Sequence, residues 1–236
     1  MVIEACRGLE PEIADAVALG GHALHDAVRE EEPGGASLFA GAGTLDRIAQ
    51  GFADAVDAKS PFTAAHSRRV TDVAMGIAAQ LGLDPASCAE LRRAALLHDI
   101  GKLGLPNAIL DKPGPLSADE WDAVRMHPYY TQRILEHVRG FRRLARIAGA
   151  HHERLDGRGY HRGIGGDALP TEARVLAVAD IFEALTSARP YRPALPEEVA
   201  LRLMEKDRGT GLCPDALDAL TAMLDAASPQ VDAAAA

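Results

Sequence analysis

The chain has 236 residues, of which 47% are apolar, and a formal net charge of −9. These values predict one substantial globular domain with a small appendage, and they argue against a nucleic-acid polymer as partner because no broad basic face is available. No apolar run approaches the roughly 18 residues of a membrane helix, so no membrane partner is expected. The acidic N-terminus and three widely spaced cysteines predict a cytoplasmic protein.

Apolar residues recur at helical spacing through most of the chain, and no strand-like alternation is longer than a few residues. The first periodic helix is predicted from Thr63 to Leu81, and the second from the Asp84-Pro85 cap to His98, where Gly101 closes it. The later predicted helices are one after the Ser117–Glu120 capping box, then Tyr129–Val138, Leu144–His151, the segment around Leu176 and Asp180, Pro196–Lys206 and Pro214–Ala226. The fold class is therefore all-α, with a helical bundle around inward-pointing polar groups.

We divide the chain into three parts. Residues 1–42 form an N-terminal helical extension or linker, residues 43–225 form the main domain, and residues 226–236 form a flexible, Ala-rich tail. The extension is interpreted either as a dimerisation arm or as the remnant of an upstream regulator. A homodimer and a signalling-protein partner are the two expectations that follow.

Residues suited to binding metal ions end several of these apolar segments. They are His66, His98, Asp99, His127, His151, His152 and Asp180. Imidazole nitrogens and carboxylate oxygens suit iron, manganese or zinc, and this set exceeds the demand of one ion. A lone histidine on an apolar stripe is usually a satisfied core residue, but burying the whole set without metal would leave many polar groups without partners. We therefore predict a two-metal hydrolase centre that splits phosphate esters.

Asp99 and Lys102 are the predicted catalytic residues. Asp99 follows His98 directly, and its two oxygens can bridge both ions. Lys102 lies one helical turn after His98 and supplies a point charge for a phosphate oxygen. The arginine-rich segment 139–162 indicates either a local positive field for a phosphate-bearing substrate or a solvated helix face. The remaining histidines are interpreted as non-ligands: His22, His25, His137 and His161.

Five strings that occur in order between Gly43 and Ala222 resemble the HD-GYP family, a branch of the HD phosphohydrolase superfamily. They are HSRRV at 66–70, LLHDIGKLGLP at 96–106, HP at 127–128, HHERLDGRGY at 151–160 and VADIFEALTSARPYR at 178–192. The resemblance implies an HD-domain helical bundle around a binuclear centre of two divalent ions, Fe or Mn. It also implies hydrolysis of cyclic di-GMP to linear pGpG, with cleavage onward to GMP less expected.

The resemblance also implies roles position by position. The first metal site would comprise His66, His98, Asp99 and Asp180, and the second would comprise Asp99, His127, His151 and His152. Lys102 corresponds to the lysine near the scissile phosphate, and Tyr160 to a tyrosine beside a guanine. Arg189 and Arg192 correspond to residues that hold the substrate's phosphates, a role that suits the bidentate guanidinium.

The chain departs from the family pattern at two positions. Phe62 stands where some members have a glutamate for a third metal, so two metals are predicted. His161 follows Tyr160 in place of a proline, and we expect a solvated side chain there and a less secure partner-docking role for this loop. Two alternatives stay open: an HD phosphohydrolase acting on another nucleotide, such as a mixed cyclic dinucleotide, and a non-catalytic nucleotide-sensing module. The complete ligand set argues against the second.

Overall fold

The computed structural model describes residues 41–58, 65–188 and 193–227. Within these ranges the chain forms α-helices joined by turns, loops and 3-10 segments, with no strand, so the predicted all-α class is confirmed. The helices are α1 (Ala42–Asp57), α2 (His66–Gln80), α3 (Pro85–Leu97), α4 (Asn107–Leu110), α5 (Ala118–Arg125), α6 (His127–Glu136), α7 (Arg142–Ala148), α8 (Thr171–Thr186), α9 (Glu197–Met204) and α10 (Pro214–Ala227). The predictions for the extension before Gly41, for the tail after Ala227, and for Phe62, Arg189 and Arg192 lie outside the described residues.

Two predicted helix starts are confirmed. The Asp84 side chain accepts hydrogen bonds from the backbone N–H groups of Ala86 and Ser87, and Pro85 opens α3. Ser117 and Glu120 form the predicted reciprocal capping box ahead of α5. These side chains satisfy N–H groups that have no acceptor within the first turn of a helix, which is why short polar residues start helices here.

Three predicted boundaries beside predicted metal ligands are wrong. Helix α7 ends at Ala148, before the predicted end at His151. Helix α6 begins at His127, because Pro128 can occupy the first turn, where its missing N–H costs no hydrogen bond. Helix α3 ends at Leu97, and Gly101 lies inside a 3-10 segment, Ile100–Gly104, that follows. A Cβ at Gly101 would lie 2.0 Å from the His127 carbonyl oxygen, so glycine is needed here for close packing against α6.

The core forms around α2, which packs against α3, α8 and α10. Helix α6 packs against the 3-10 segment and against α7. The largest apolar side chains buried in this core are Ile77, Leu91, Leu97, Leu144, Ile147, Leu176, Met204, Leu217 and Leu220. This packing brings the start of α2, the end of α3 and the middle of α8 together. No helix in the described ranges is long and apolar enough to cross a lipid bilayer.

Candidate metal centre

The seven predicted ligand residues converge at one place. His66 is the first residue of α2, and His127 is the first of α6. His98 and Asp99 form the turn after α3, His151 and His152 follow α7, and Asp180 lies within α8. Their ligand atoms fall into three groups, each within 4.8 Å: His66, His98 and Asp180; His98, Asp99 and His151; and His127, His151 and His152. Asp99 and His98 are nearly inaccessible to solvent, so the groups lie inside the bundle.

Asp99 stands between two sets of imidazoles. Its Oδ2 lies 3.6 Å from His66 Nε2 and 3.4 Å from His98 Nε2. Its Oδ1 lies 3.3 Å from His127 Nε2 and 3.9 Å from His151 Nε2. Each carboxylate oxygen therefore faces a different pair of rings, which is the arrangement that a bridging ligand requires. Asp180 lies on the first side only, with Oδ1 3.3 Å from His66 Nε2.

Three of the histidines are oriented by the backbone. The Nδ1 atoms of His98, His127 and His151 lie 2.7, 2.7 and 2.6 Å from the carbonyl oxygen three residues earlier. A carbonyl can only accept, so each Nδ1 carries the proton and each Nε2 keeps its lone pair. Fixing the outer nitrogen in this way aims the inner one at the centre, as metal-binding histidines commonly are.

His66 is oriented by a carboxylate that sequence analysis missed. Glu183 Oε2 lies 2.5 Å from His66 Nδ1, and Glu183 is only 3% exposed. Arg69 Nε and Ser187 Oγ donate to its other oxygen at 2.7 and 2.6 Å. Glu183 is three residues after Asp180 and so shares its helix face, which was the available signal.

Burial and charge act in opposite directions on this centre. Burial alone would lower the pKa of His66, but hydrogen bonds to Asp180 and Glu183 raise it to about 9. Burial opposes ionisation of Asp99, but the positive charge of Lys102 and its histidine neighbours hold the pKa of this carboxyl well below its usual range. On the other side, burial lowers the pKa of His152 to about 4. An ionised carboxylate and a neutral imidazole are the forms that bind metal.

The donor set fits divalent metal. His98 Nε2 is buried and makes no hydrogen bond within the described residues. The Nε2 atoms of His127 and His151 lie 3.0 Å apart, although the backbone contacts leave both as acceptors. Two facing lone pairs need a shared cation or proton, and imidazole with carboxylate suits transition metals. The prediction of clusters able to hold metal is thus confirmed.

The string after the histidine doublet forms a tightly held loop. Buried Glu153 accepts the Arg162 backbone N–H at 2.8 Å, which ties the two ends of the loop together. A Cβ at Gly159 would lie 2.5 Å from Glu153 Cα, so only glycine allows this approach. Asp156 accepts the N–H of Arg158 at 3.0 Å and closes the turn between them. These contacts fix the backbone on which Tyr160 stands.

Lys102 and Tyr160 lie at the edge of the centre. Lys102 Nζ is 2.5 Å from Asp99 Oδ2, and the Tyr160 ring centroid is 4.6 Å from that of His152.

The expectation of a solvated His161 is wrong, because both of its ring nitrogens are buried without a hydrogen-bond partner in the described residues. His137 is exposed and donates from Nδ1 to the Arg133 carbonyl, away from the centre.

Two members of the arginine-rich segment serve structural roles. Arg143 pairs with Glu172, and Arg154 joins Asp156 to Asp207 at 3.2 and 3.0 Å. Their charges are therefore neutralised by neighbouring carboxylates, so they add little to a field at the metal centre.

Ala65, which precedes His66, has unusual backbone geometry. It is the only non-glycine residue in the described ranges with positive φ, at 60°. This left-handed conformation is unfavourable for an L-residue with a Cβ, so the backbone immediately before His66 is strained.

These features define an all-α domain with a buried centre of histidines and carboxylates that could hold metal. The HD domain family model matches residues 50–214, and the chain belongs to the HD-GYP branch of that family, as the sequence resemblance predicted.

The similar proteins include both 3'3'-cGAMP-specific and cyclic di-GMP phosphodiesterases. The chain is 51% identical over 181 residues to the 3'3'-cGAMP-specific phosphodiesterase 3 of Vibrio cholerae serotype O1, covering 77% of this chain and 39% of that protein. It is 41% identical over 179 residues to the cyclic di-GMP phosphodiesterase response regulator RpfG of Xanthomonas campestris pv. campestris, covering 75% of this chain and 46% of that protein. The chain thus spans less than half the length of these curated relatives.

A solved structure is similar over most of the chain. The crystal structure of the cyclic GMP-AMP specific phosphodiesterase V-cGAP3 of V. cholerae superposes with a TM-score of 0.56 at 41% identity. The match covers 91% of this chain and 51% of that one.

Proposed function

We propose that this chain is a metal-dependent phosphodiesterase that opens the ring of a cyclic dinucleotide. The observation that carries the proposal is Asp99, whose two oxygens face separate imidazole pairs across a buried centre. A phosphodiester needs charge stabilisation on both its attacking and its leaving oxygen. Two ions supply it when bound, and they also make hydroxide available near neutral pH.

Two divalent ions, Fe or Mn, are the proposed cofactors. His66, His98, Asp99 and Asp180 would hold one, and Asp99, His127, His151 and His152 would hold the other. Support comes from the grouping of their ligand atoms within 4.8 Å and from the outward hydrogen bonds that aim each Nε2 inward. Elemental analysis of anaerobically purified protein should give close to two metals per chain, and a value close to three would reject this count.

The remaining side chains would bind and orient the substrate. Lys102 lies beside the bridging carboxylate, where its ammonium can hold an oxygen of the scissile phosphate. The exposed ring of Tyr160 beside His152 offers a stacking surface for a base. Arg189 and Arg192, carried over from the family motif, would hold phosphate oxygens. Attack of water on one phosphodiester would open the ring to the linear dinucleotide, pGpG in the case of cyclic di-GMP, and further cleavage to GMP is less expected with two metals.

Cyclic di-GMP is the proposed substrate, and 3'3'-cGAMP is the second candidate. The second is favoured by the 51% identity to a 3'3'-cGAMP-specific enzyme, compared with 41% to a cyclic di-GMP enzyme. Both substrates contain guanine and the same 3',5' phosphodiester ring. The same metal and lysine machinery would therefore serve either one.

The test is turnover of both candidates by metal-loaded protein, with chromatography of the products. Linear dinucleotide should appear from at least one of them, and Asp99→Ala should lose both metals and all turnover. Full metal loading without product from either substrate would overturn the enzymatic proposal and leave the nucleotide-sensing alternative. An Asp99→Ala protein that keeps two metals and full turnover would remove this residue from the bridge.

A further inference from the structure

A cavity of about 310 Å³ opens beside Tyr160. Its lining residues are Arg125, Met126, Arg158, Gly159, Tyr160 and His161. Because the Tyr160 ring lies 4.6 Å from the His152 ring, the cavity begins at the edge of the metal centre. If the ring phosphodiester binds at the centre, as proposed above, one base of the substrate can enter this cavity.

The cavity has one flat aromatic wall with a cation next to it. The Arg125 guanidinium carbon lies over the Tyr160 ring, 5.9 Å from its centroid. A purine stacked on this face of the tyrosine would displace the guanidinium, and the exposed Arg125 side chain could then swing to the polar edge of the base. Stacking on an aromatic side chain is available to any base, so Tyr160 alone gives little choice between guanine and adenine.

Arg125 supplies the missing discrimination. A guanidinium has only donors, and guanine presents two adjacent acceptors, O6 and N7. Adenine has an amino donor in place of O6, so it offers one acceptor and one opposing donor. We propose that Arg125 makes this site prefer guanine at one of the substrate's two bases by donating to O6 and N7. The proposal rests on the proposed function, which it deepens.

Arg125 is free to take such a partner. It forms an ion pair with Asp122 at 3.6 Å, and the two side chains are 57% and 74% exposed. An ion pair this exposed holds its members weakly, so exchange for a bidentate contact with a base costs little. On the neighbouring wall, both ring nitrogens of His161 are buried and have no hydrogen-bond partner in the described residues. They are therefore available to form hydrogen bonds with a ligand in the cavity.

Arg133 provides a matched control. Its side chain is 58% exposed, and it pairs with Glu136 at 3.8 Å at the same three-residue spacing as Arg125 with Asp122, with the order of the charges along the chain reversed. It does not line the cavity. Arg133→Ala therefore removes an equivalent charge and an equivalent surface ion pair without touching the proposed subsite.

The experiment compares wild type, Arg125→Ala, Arg125→Lys and Arg133→Ala. Turnover of cyclic di-GMP, 3'3'-cGAMP and cyclic di-AMP is measured for each, together with equilibrium binding of GMP, IMP and AMP to the metal-loaded proteins. IMP keeps O6 and N7 but lacks the guanine amino group. Arg125→Ala should lose roughly tenfold or more in kcat/KM for cyclic di-GMP and in affinity for GMP and IMP, with AMP unchanged. Arg125→Lys should recover little of the lost activity and affinity, because an ammonium group lacks the paired N–H donors of the guanidinium.

Several outcomes would overturn the proposal. Equal losses for GMP and AMP would make Arg125 a phosphate contact, and behaviour like Arg133→Ala would remove it from the site. Loss for GMP with retention for IMP would move recognition to the guanine amino group. If wild type opens none of the three rings, the proposed function fails, and the mononucleotide binding still decides the role of Arg125 separately.

Discussion

Each buried imidazole in the centre makes a hydrogen bond through Nδ1, while its Nε2 faces Asp99. Three use the backbone carbonyl three residues earlier, whereas His66 uses Glu183, 117 positions away. The carbonyl contacts form automatically when the local turn forms. The contact of His66 depends instead on the packing of α2 against α8. A substitution in α8 can therefore change the orientation of the His66 ring.

Glu183→Gln should weaken metal binding while leaving the fold intact. The amide keeps the shape of Glu183 but loses the charge that orients His66, and such outer partners typically affect metal affinity 10–100-fold. Metal titration under anaerobic conditions measures the change. Glu172→Gln is the matched control, because Glu172 is also buried at 5% exposure but pairs with Arg143 away from the centre. Equal affinities in the two variants would contradict the role of Glu183.

The pKa of His66 predicts a pH dependence of metal binding. In metal-free protein this pKa is about 9, above its ordinary 6.5, so His66 carries a proton at pH 7 that metal must displace. We expect affinity for Mn²⁺ to rise by up to about tenfold per pH unit between pH 7 and 8.5. Titrations against a competing chelator at several pH values measure it, and an affinity that stays flat would contradict the prediction.

The same shift has the opposite effect on the stability of the metal-free fold. Because folding raises the pKa of His66, its contribution to stability is complete below pH 6.5 and is lost as the pH rises through about 9. Mild alkali should therefore favour the metal-bound protein while weakening the empty one.

At the scale of elements, the 3-10 segment Ile100–Gly104 sets the distance between two halves of the centre. Thr131 of α6 donates from Oγ1 to the His98 carbonyl at 2.7 Å and accepts the Gly101 N–H at 3.0 Å. This one hydroxyl locks the turn that carries His98 and Asp99 onto the helix that begins with His127. The missing side chain of Gly101 makes that contact possible.

Gly101→Ala should destabilise the domain and reduce its metal content. The new Cβ would lie 2.0 Å from the His127 carbonyl oxygen and 2.6 Å from the Thr131 nitrogen, both backbone atoms with little freedom to move. Overpacking of this kind costs about 1–3 kcal/mol or more. Thermal denaturation and elemental analysis measure the two effects. Gly104→Ala is the control within the same segment, because its nearest contact is 4.0 Å away, and its stability should change little.

For the whole molecule, the centre joins segments that are far apart in sequence. Candidate metal ligands come from helices α2, α6 and α8 and from the segments that follow α3 and α7. Metal that binds this folded arrangement and not the open chain stabilises the fold by mass action, by about 2.7 kcal/mol at a free concentration 100 times the dissociation constant.

Chelation should therefore lower the melting temperature, and Mn²⁺ should restore it. The Asp99→Ala variant should show no metal-dependent change, because it lacks the ligand shared by both sites. Calorimetry with and without added metal measures the difference. Equal melting temperatures for wild type in chelator and in Mn²⁺ would mean that the ions do not hold these segments together.

Much of this arrangement could be predicted from sequence. Helical periodicity gave the fold class, the caps at Asp84 and Ser117 gave two helix starts, and the family strings gave the residues that converge. Glu183 and Thr131 could not be found in this way, because each acts through a partner in a distant segment. The state of His161 was also inaccessible, since burial of its ring nitrogens depends on the tertiary packing around them.

The left-handed backbone at Ala65 has a consequence for how this domain can change. Glycine would relieve the strain at that position, so Ala65→Gly is an obvious route to a more robust fold. It would also loosen the turn from which His66 enters the centre. Selection for a more stable fold would then favour glycine at this position, whereas selection for a fixed orientation of His66 would favour alanine. The position is therefore subject to a trade-off between stability and activity.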